Sequence, residues 1–194
     1  MGFRFIRVDS GTPPVLPEGM SYEEARKIIV SNFQAIAKIG QKYDLTVVWE
    51  FEPGFLINEP KYVIETWKAV GEPNFLILFD TCHAYMSAVK GSRHIAPDCT
   101  LAGGIEEFAA MCKDKIGIIR LIDSDGTLDA ANTSTHAPFG LGEIDFDSVM
   151  PALLEQANYQ GEWLAIDLCE WPDAWRVTAE SKTFVDQLNE KYCK

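Results

Sequence analysis

Several features that assign a protein to a class are missing from this chain. No apolar run approaches the ~18 residues that span a bilayer as a helix. The amino-terminal MGFRFIRVDSG has neither the basic segment nor the apolar stretch of a secretion signal. A membrane association is therefore not expected, and a cytoplasmic location is. Positive charge is scarce, with 17 Lys and Arg against 29 Asp and Glu and a formal net charge of −12. Such a surface repels phosphate backbones, and no basic groove offsets it, so a nucleic-acid partner is not expected either. The five cysteines are odd in number and form no CxxC pair, which points to reduced, buried thiols. GxGxxG and GxxxxGK[ST] are both absent, which removes the commonest nucleotide-binding signatures.

What is present is ordinary globular material. Of the 194 residues, 47% are apolar and 24% charged, so a single domain over residues 1–194 is expected. Four apolar runs each end on polar or acidic groups and give way to a helical pattern: VVWEFEPG, ILFDTCHAY, IIRLIDSDG and LAIDLCEW. Together with a first run at Phe3–Val8, they predict strands near Leu45–Phe51, Phe75–Phe79, Ile116–Ile122 and Trp163–Leu168. A Ser21/Glu24 capping box opens a helix from Tyr22 to about Lys42, with Ala25, Ile28, Ile29, Ile36 and Ile39 on its apolar face. Pro60 opens a second helix that Gly71 ends. Further helices are expected over Ile105–Lys113, from Asp145 to Gly161, and over Asp173–Tyr192, the last with a buried stripe of Trp175, Ala179, Phe184, Val185 and Leu188. Residues 12–19 and Tyr85–Ala102 read as irregular. Asp123–Gly142 reads as a long polar loop of the kind used as a lid or binding loop.

Strict alternation of strands and helices argues for a parallel sheet with right-handed crossovers. The α/β fold is then either an open doubly wound sheet or part of a (β/α)8 TIM barrel. An open sheet gathers its ligand at one switch point, whereas a barrel builds its site from the carboxyl ends of several strands. The second pattern fits this chain better, because Glu50, Asp80 with His83, Arg120 with Asp123, and Asp167 with Glu170 all fall at strand ends. Glu50, Asp80 and Asp167 converging on one mouth would suit a divalent cation. Glu52 shares the side-chain parity of Glu50 one step further out and is the weaker candidate. Arg120, if it points inward, would bind an anionic or hydroxyl-rich substrate or replace part of a metal's charge. His136 precedes Phe139-Gly140-Leu141-Gly142, where glycines permit close approach to a ligand. His94 has no such context and is expected on the surface, and Glu170 at the rim.

The series VVWEFEPG, LFDTCHAY, IRLIDSDG, HAPFGLGEID and GEWLAID resembles the xylose isomerase-like TIM-barrel superfamily, the sugar phosphate isomerase and epimerase group that also holds family 2 apurinic endonucleases. The resemblance runs through almost the whole chain. It implies a (β/α)8 barrel with Mn, Mg, Co or Zn at its carboxyl face, acting on a sugar or polyol. It implies Glu50, Asp80 and Asp167 as metal carboxylates, His83 as a substrate or metal contact, and His136 as the histidine before the glycine turn. Arg120 stands where many relatives have a metal-binding histidine, leaving the ion short of a usual nitrogen ligand. Five strands rather than eight imply an incomplete barrel of about five βα units lacking the first three. Its two unpaired edges imply a homo-oligomer or a partner subunit that covers them.

The expected activity is a metal-dependent sugar (phosphate) isomerase or epimerase, with Glu50, Asp167 and His83 catalytic and His83, Arg120 and His136 binding substrate. A dehydratase or lyase on a keto-sugar or keto-inositol would begin with the same proton removal beside a carbonyl. A non-catalytic, partner-dependent subunit with a degenerate metal site is the alternative from another class. Cleavage of abasic DNA, open by kinship, is disfavoured by the net charge.

Overall fold

The computed structural model describes residues 2–11, 13–95 and 99–193; Thr12 and residues 96–98, which fall in the two stretches expected to be irregular, lie outside them. In chain order the elements are β1 (Phe5–Val8), α1 (Tyr22–Gln41), β2 (Thr46–Glu50), α2 (Pro60–Val70), β3 (Phe75–Asp80), α3 (Thr81–Ala88), α4 (Gly104–Met111), β4 (Ile116–Leu121), β5 (Asp123–Leu128), β6 (Ser134–Ala137), α5 (Phe146–Pro151), β7 (Leu164–Ile166) and α6 (Ala174–Tyr192). Five strands form one parallel sheet in the order β1-β2-β3-β4-β7, each beside its predecessor in that series. The arrangement is a half-barrel, an incomplete TIM barrel with open edges at β1 and β7. Among the described residues no helix is long and apolar enough to cross a membrane.

Alternating parity along the strands divides two environments. Val47, Trp49, Phe75, Ile77, Phe79, Ile119 and Leu121 are buried in the main core with Phe33, Phe51 and Phe108 from other segments. Phe33 packs on Trp49 and Phe75 at centroid distances of 5.3 and 5.1 Å, and Phe108 on Phe51 and Phe79 at 4.9 and 5.5 Å. The intervening residues Val48, Glu50, Leu78, Asp80, Ile118, Arg120, Ala165 and Asp167 share the other face. Register aligns Glu50 with Leu78, Asp80 with Arg120, and Arg120 with Ala165. That alignment brings the polar ends of β2, β3, β4 and β7 to one rim.

The local signals that have a physical cause hold. Ser21 and Glu24 form both halves of the capping box, and Pro60 and Gly71 (φ 63°) bound α2 as expected. Elsewhere the structure corrects the sequence reading. The stretch expected to be irregular from Tyr85 lies partly in α3, which starts directly at the end of β3 because Asp80 caps it, accepting from the amides of Cys82 and His83. The expected lid, Asp123–Gly142, contains the antiparallel pair β5–β6, turned by Asp129, whose carboxylate accepts from the amides of Ala131 and Thr133, and by Asn132 in the left-handed region. The helix expected from Asp145 to Gly161 is α5 followed by a π-helical turn, Ala152–Gln156, that begins after Pro151; Asn158, at φ 54°, takes the left-handed position beyond it. In α6 the buried stripe is Val177, Ser181, Val185 and Leu188, while Trp175 is 94% exposed. Ile28 and Ile39 of α1 are also exposed. Of the cysteines expected to be buried, Cys82 and Cys112 are, whereas Cys169 and Cys193 are exposed.

Candidate metal centre and active site

Glu50 ends β2 with 1% of its surface exposed. An isolated carboxylate there would cost several kcal/mol, and two arginines offset it. Arg7 of β1 donates through Nε to Oε2, and Arg120 of β4 donates through Nη1 to Oε1 at 2.6 Å. The same Nη1 lies 2.6 Å from Oδ2 of Asp167, so Arg120 joins two of the three expected metal carboxylates. Arg120 therefore points inward, the orientation in which a substrate-binding or charge-replacing role is expected of it. Arg7 was not among the expected site residues. The register of Arg7 with Val48 places it on the face that Glu50 occupies, a signal readable only once β1 is paired with β2.

Asp80 is fully buried. One of its oxygens, Oδ1, is engaged as the α3 cap; the other, Oδ2, has no hydrogen-bond partner within the protein. The capping role is thus taken by one oxygen, and the other is left without a protein partner. His83, in the first turn of α3, is held by Ser134, whose Oγ is 2.9 Å from Nδ1, and its Nε2 lies 3.2 Å from Glu52. Glu52, the weaker candidate by sequence, is thereby part of the cluster. His136 on β6 donates through Nδ1 to the carbonyl oxygen of Asp167 at 3.0 Å, with Cys169 Sγ 3.4 Å from the same nitrogen. Its Nε2 is buried without a hydrogen-bond partner, 4.0 Å from Asp80 Oδ1. The two imidazole rings are 4.9 Å apart.

The electrostatics express a site that demands positive charge. Burial, then the neighbouring Asp80, push the Glu50 carboxyl above its ordinary range against the pull of Arg120 and Arg7. Burial likewise lifts Asp80 and Glu52. Burial holds His83 well below the usual imidazole value and keeps it neutral. Burial also opposes the charge on His136, but Asp80, Asp167 and Cys169 outweigh it and raise the imidazole to about 11. Asp167 is held below the ordinary carboxylate range: burial works against this, and His136 and Arg120 prevail.

Among the described residues, three sets of side chains bring donor atoms within 4.8 Å of one another: Glu50, Asp80 and Asp167; Asp80, His83 and His136; and His136, Asp167 and Cys169. The residues fit a divalent cation, since two buried polar atoms, Asp80 Oδ2 and His136 Nε2, are unpartnered and close to further donors. His94 and Glu170 belong to none of the sets, although His94 is half-buried rather than on the surface. Asp123, which shares the IIRLIDSDG run with Arg120, serves the loop instead. Its carboxylate accepts from the amides of Ser124, Gly140, Gly142 and Ile144. Gly142 is required there, because a Cβ would come within 2.3 Å of Asp123 Oδ1. A hollow of about 200 Å³ beside His136 and Cys169 opens at this rim. A larger one, about 740 Å³, lies by Trp163 and Tyr192 and holds none of these residues.

The xylose isomerase-like TIM barrel profile matches residues 1–184, and the chain belongs to that family. Among solved structures it is similar to a D-tagatose 3-epimerase-like protein, with 23% identity, a TM-score of 0.68, and coverage of 97% of this chain and 64% of the other. It is similar to the IolI protein with a bound zinc atom at 21% identity and TM-score 0.69, covering 98% and 64%. It is also similar to the 3-keto-D-glucoside 4-epimerase YcjR from E. coli at 16% and 0.65, covering 93% and 63%. The chain thus spans less than two thirds of the length of these proteins. A comparison with curated proteins finds no match.

Proposed function

We propose that the chain carries the catalytic rim of a metal-dependent sugar isomerase or epimerase, working by proton transfer next to a carbonyl. The observation that carries this reading is the convergence of Glu50, Asp80 and Asp167, from three strands of the sheet, with oxygens within 4.8 Å of one another. The kinship with sugar-epimerase structures supports the substrate class, a small sugar or polyol. Asp80, His136 and Asp167 each belong to two of the three donor sets, and of the two carboxylates Asp80 is the one that keeps a buried oxygen without a partner. A bound divalent cation would supply Lewis-acid polarisation of a carbonyl.

The chain's own residues would do the rest. Glu50, lifted toward neutrality, and Asp167, held ionised, form a carboxyl pair of unequal proton affinity, the condition for one to take and the other to hold a proton. Arg120 between them keeps their separation fixed and offers a cation to a substrate oxygen, and His83 presents a neutral imidazole to a hydroxyl or to the cation. A dehydratase or lyase on a keto-sugar would use the same pair.

The test is turnover of a ketose and keto-inositol panel with metal-stripped and reloaded protein. Activity restored by cation and lost in Glu50→Gln supports the reading; no turnover with stoichiometric metal bound overturns it. One contact favours a second, non-catalytic reading: Arg120 already neutralises Glu50 and Asp167, as a degenerate metal site would require. Sugar binding unchanged by metal removal would select it. The unpaired edges of β1 and β7 would be covered by a second copy or a partner subunit, and light scattering on the pure chain reads this directly.

A further inference from the structure

The geometry points to a cation held by Asp80, His83 and His136, with Arg120 keeping Glu50 and Asp167 out of the coordination shell; this rests on the metal-dependent reading above and names the ligands and metal class within it. In the acidic set the positive charge is already present. Arg120 Nη1 is 2.6 Å from both Glu50 Oε1 and Asp167 Oδ2, and Arg7 holds the other Glu50 oxygen. A cation bound by those oxygens at ~2.0–2.2 Å would occupy the place of the guanidinium, which cannot lose its charge.

Among the described residues no arginine is paired with the donors of the neighbouring set; the positive charge there is the proton on His136, which a bound cation would displace. Asp80 Oδ2 and His136 Nε2 are buried and unpartnered. Both histidines are oriented in the same manner: Ser134 Oγ holds Nδ1 of His83, and the carbonyl of Asp167 holds Nδ1 of His136. Each ring therefore presents Nε2, the arrangement in which an outer partner fixes a ligating imidazole. Glu52, 3.2 Å from His83 Nε2, stands beside this position as a further oxygen donor. The nitrogen missing at position 120 is thus supplied from the β5–β6 hairpin, and Asp80 supplies the oxygen that its capping role leaves over.

The two ligand sets differ in metal preference. Three carboxylates suit Mg or Mn, whereas two imidazoles with one carboxylate suit Zn, Co or Fe(II). We expect the chelator-stripped whole chain to bind one Co²⁺, followed by calorimetry and by its visible ligand-field bands, at least about 100-fold more tightly than Mg²⁺. This measurement needs no variant. His136→Gln, with folding checked by circular dichroism, is expected to weaken Co²⁺ by about 100-fold and alter the bands, and Glu50→Gln to change affinity by less than about threefold. Comparable Mg²⁺ and Co²⁺ affinities, with binding lost in Glu50→Gln and kept in His136→Gln, would overturn the inference and leave the metal-dependent reading standing. Failure of the wild-type chain to bind Co²⁺ or Mg²⁺ would overturn both.

Discussion

Arg120 reaches Glu50 across an intervening strand: the two residues lie on β4 and β2, with β3 between them, yet Nη1 and Oε1 are 2.6 Å apart. The guanidinium therefore passes over the Asp80 end of β3, and its loss would affect the whole rim. Arg120→Met leaves Glu50 with Arg7 alone and Asp167 without its shortest partner. The expected cost is about 3 kcal/mol, the scale for removing one partner of a buried pair, read as a lower urea midpoint at unchanged slope. A variant as stable as the wild type would show that solvent, not Arg120, compensates Glu50.

Asp123 organises the loop that follows β6. Asp123→Ala removes an acceptor shared by four backbone amides, and about 3 kcal/mol of stability should go with it. Amide exchange at residues 140–144 should accelerate first. Gly142→Ala should produce the same exchange pattern with the Asp123 carboxylate intact, because its new methyl would collide with Oδ1.

Thiol reactivity should divide the cysteines by burial. Cys169 and Cys193 are exposed and should react promptly with a chromogenic disulfide in native protein. Cys82 and Cys112, whose thiols burial pushes well above their ordinary range, should react only after denaturant is added. A fast phase that includes Cys82 would mean that α3 opens readily.

Aromatic truncations should separate core from surface. Phe108, fully buried against Phe51 and Phe79, should cost about 3–5 kcal/mol as alanine. Trp175→Ala should stay within about 0.5 kcal/mol, since that side chain is almost wholly in solvent. Equal losses at the two positions would place Trp175 in an interface of the assembled protein.

The strand ends were legible in the sequence because their cause is local. A continuous apolar run interrupted by Glu50 or Asp80 marks both the strand and the face to which its acid belongs. Gly71 and the Ser21/Glu24 box were legible for the same reason. What escaped depended on distant contacts. Arg7 looked like any surface cation until pairing of β1 with β2 set it beside Glu50. Trp175 scored as core by hydrophobicity, but the stripe of α6 is set by what it packs against and falls on the face of Val177 and Val185. Residues 123–142 read as loop because polar, glycine-containing strands have weak alternation, and hairpin pairing there comes from Asp129, Asn132 and the partner strand. Cys169 lies beside His136 only because the chain turns after β7, which no local spacing announces.

Asp80 divides a single carboxyl group, one oxygen beginning α3 and the other left without a protein partner at the rim. On the proposed reading, folding and reactivity share one side chain at this position and cannot be tuned separately. Attempts to retarget the pocket by altering Asp80 would move the origin of the helix along with His83 in its first turn. Engineering freedom lies instead with His136 and Glu52, whose side chains cap no helix among the described residues.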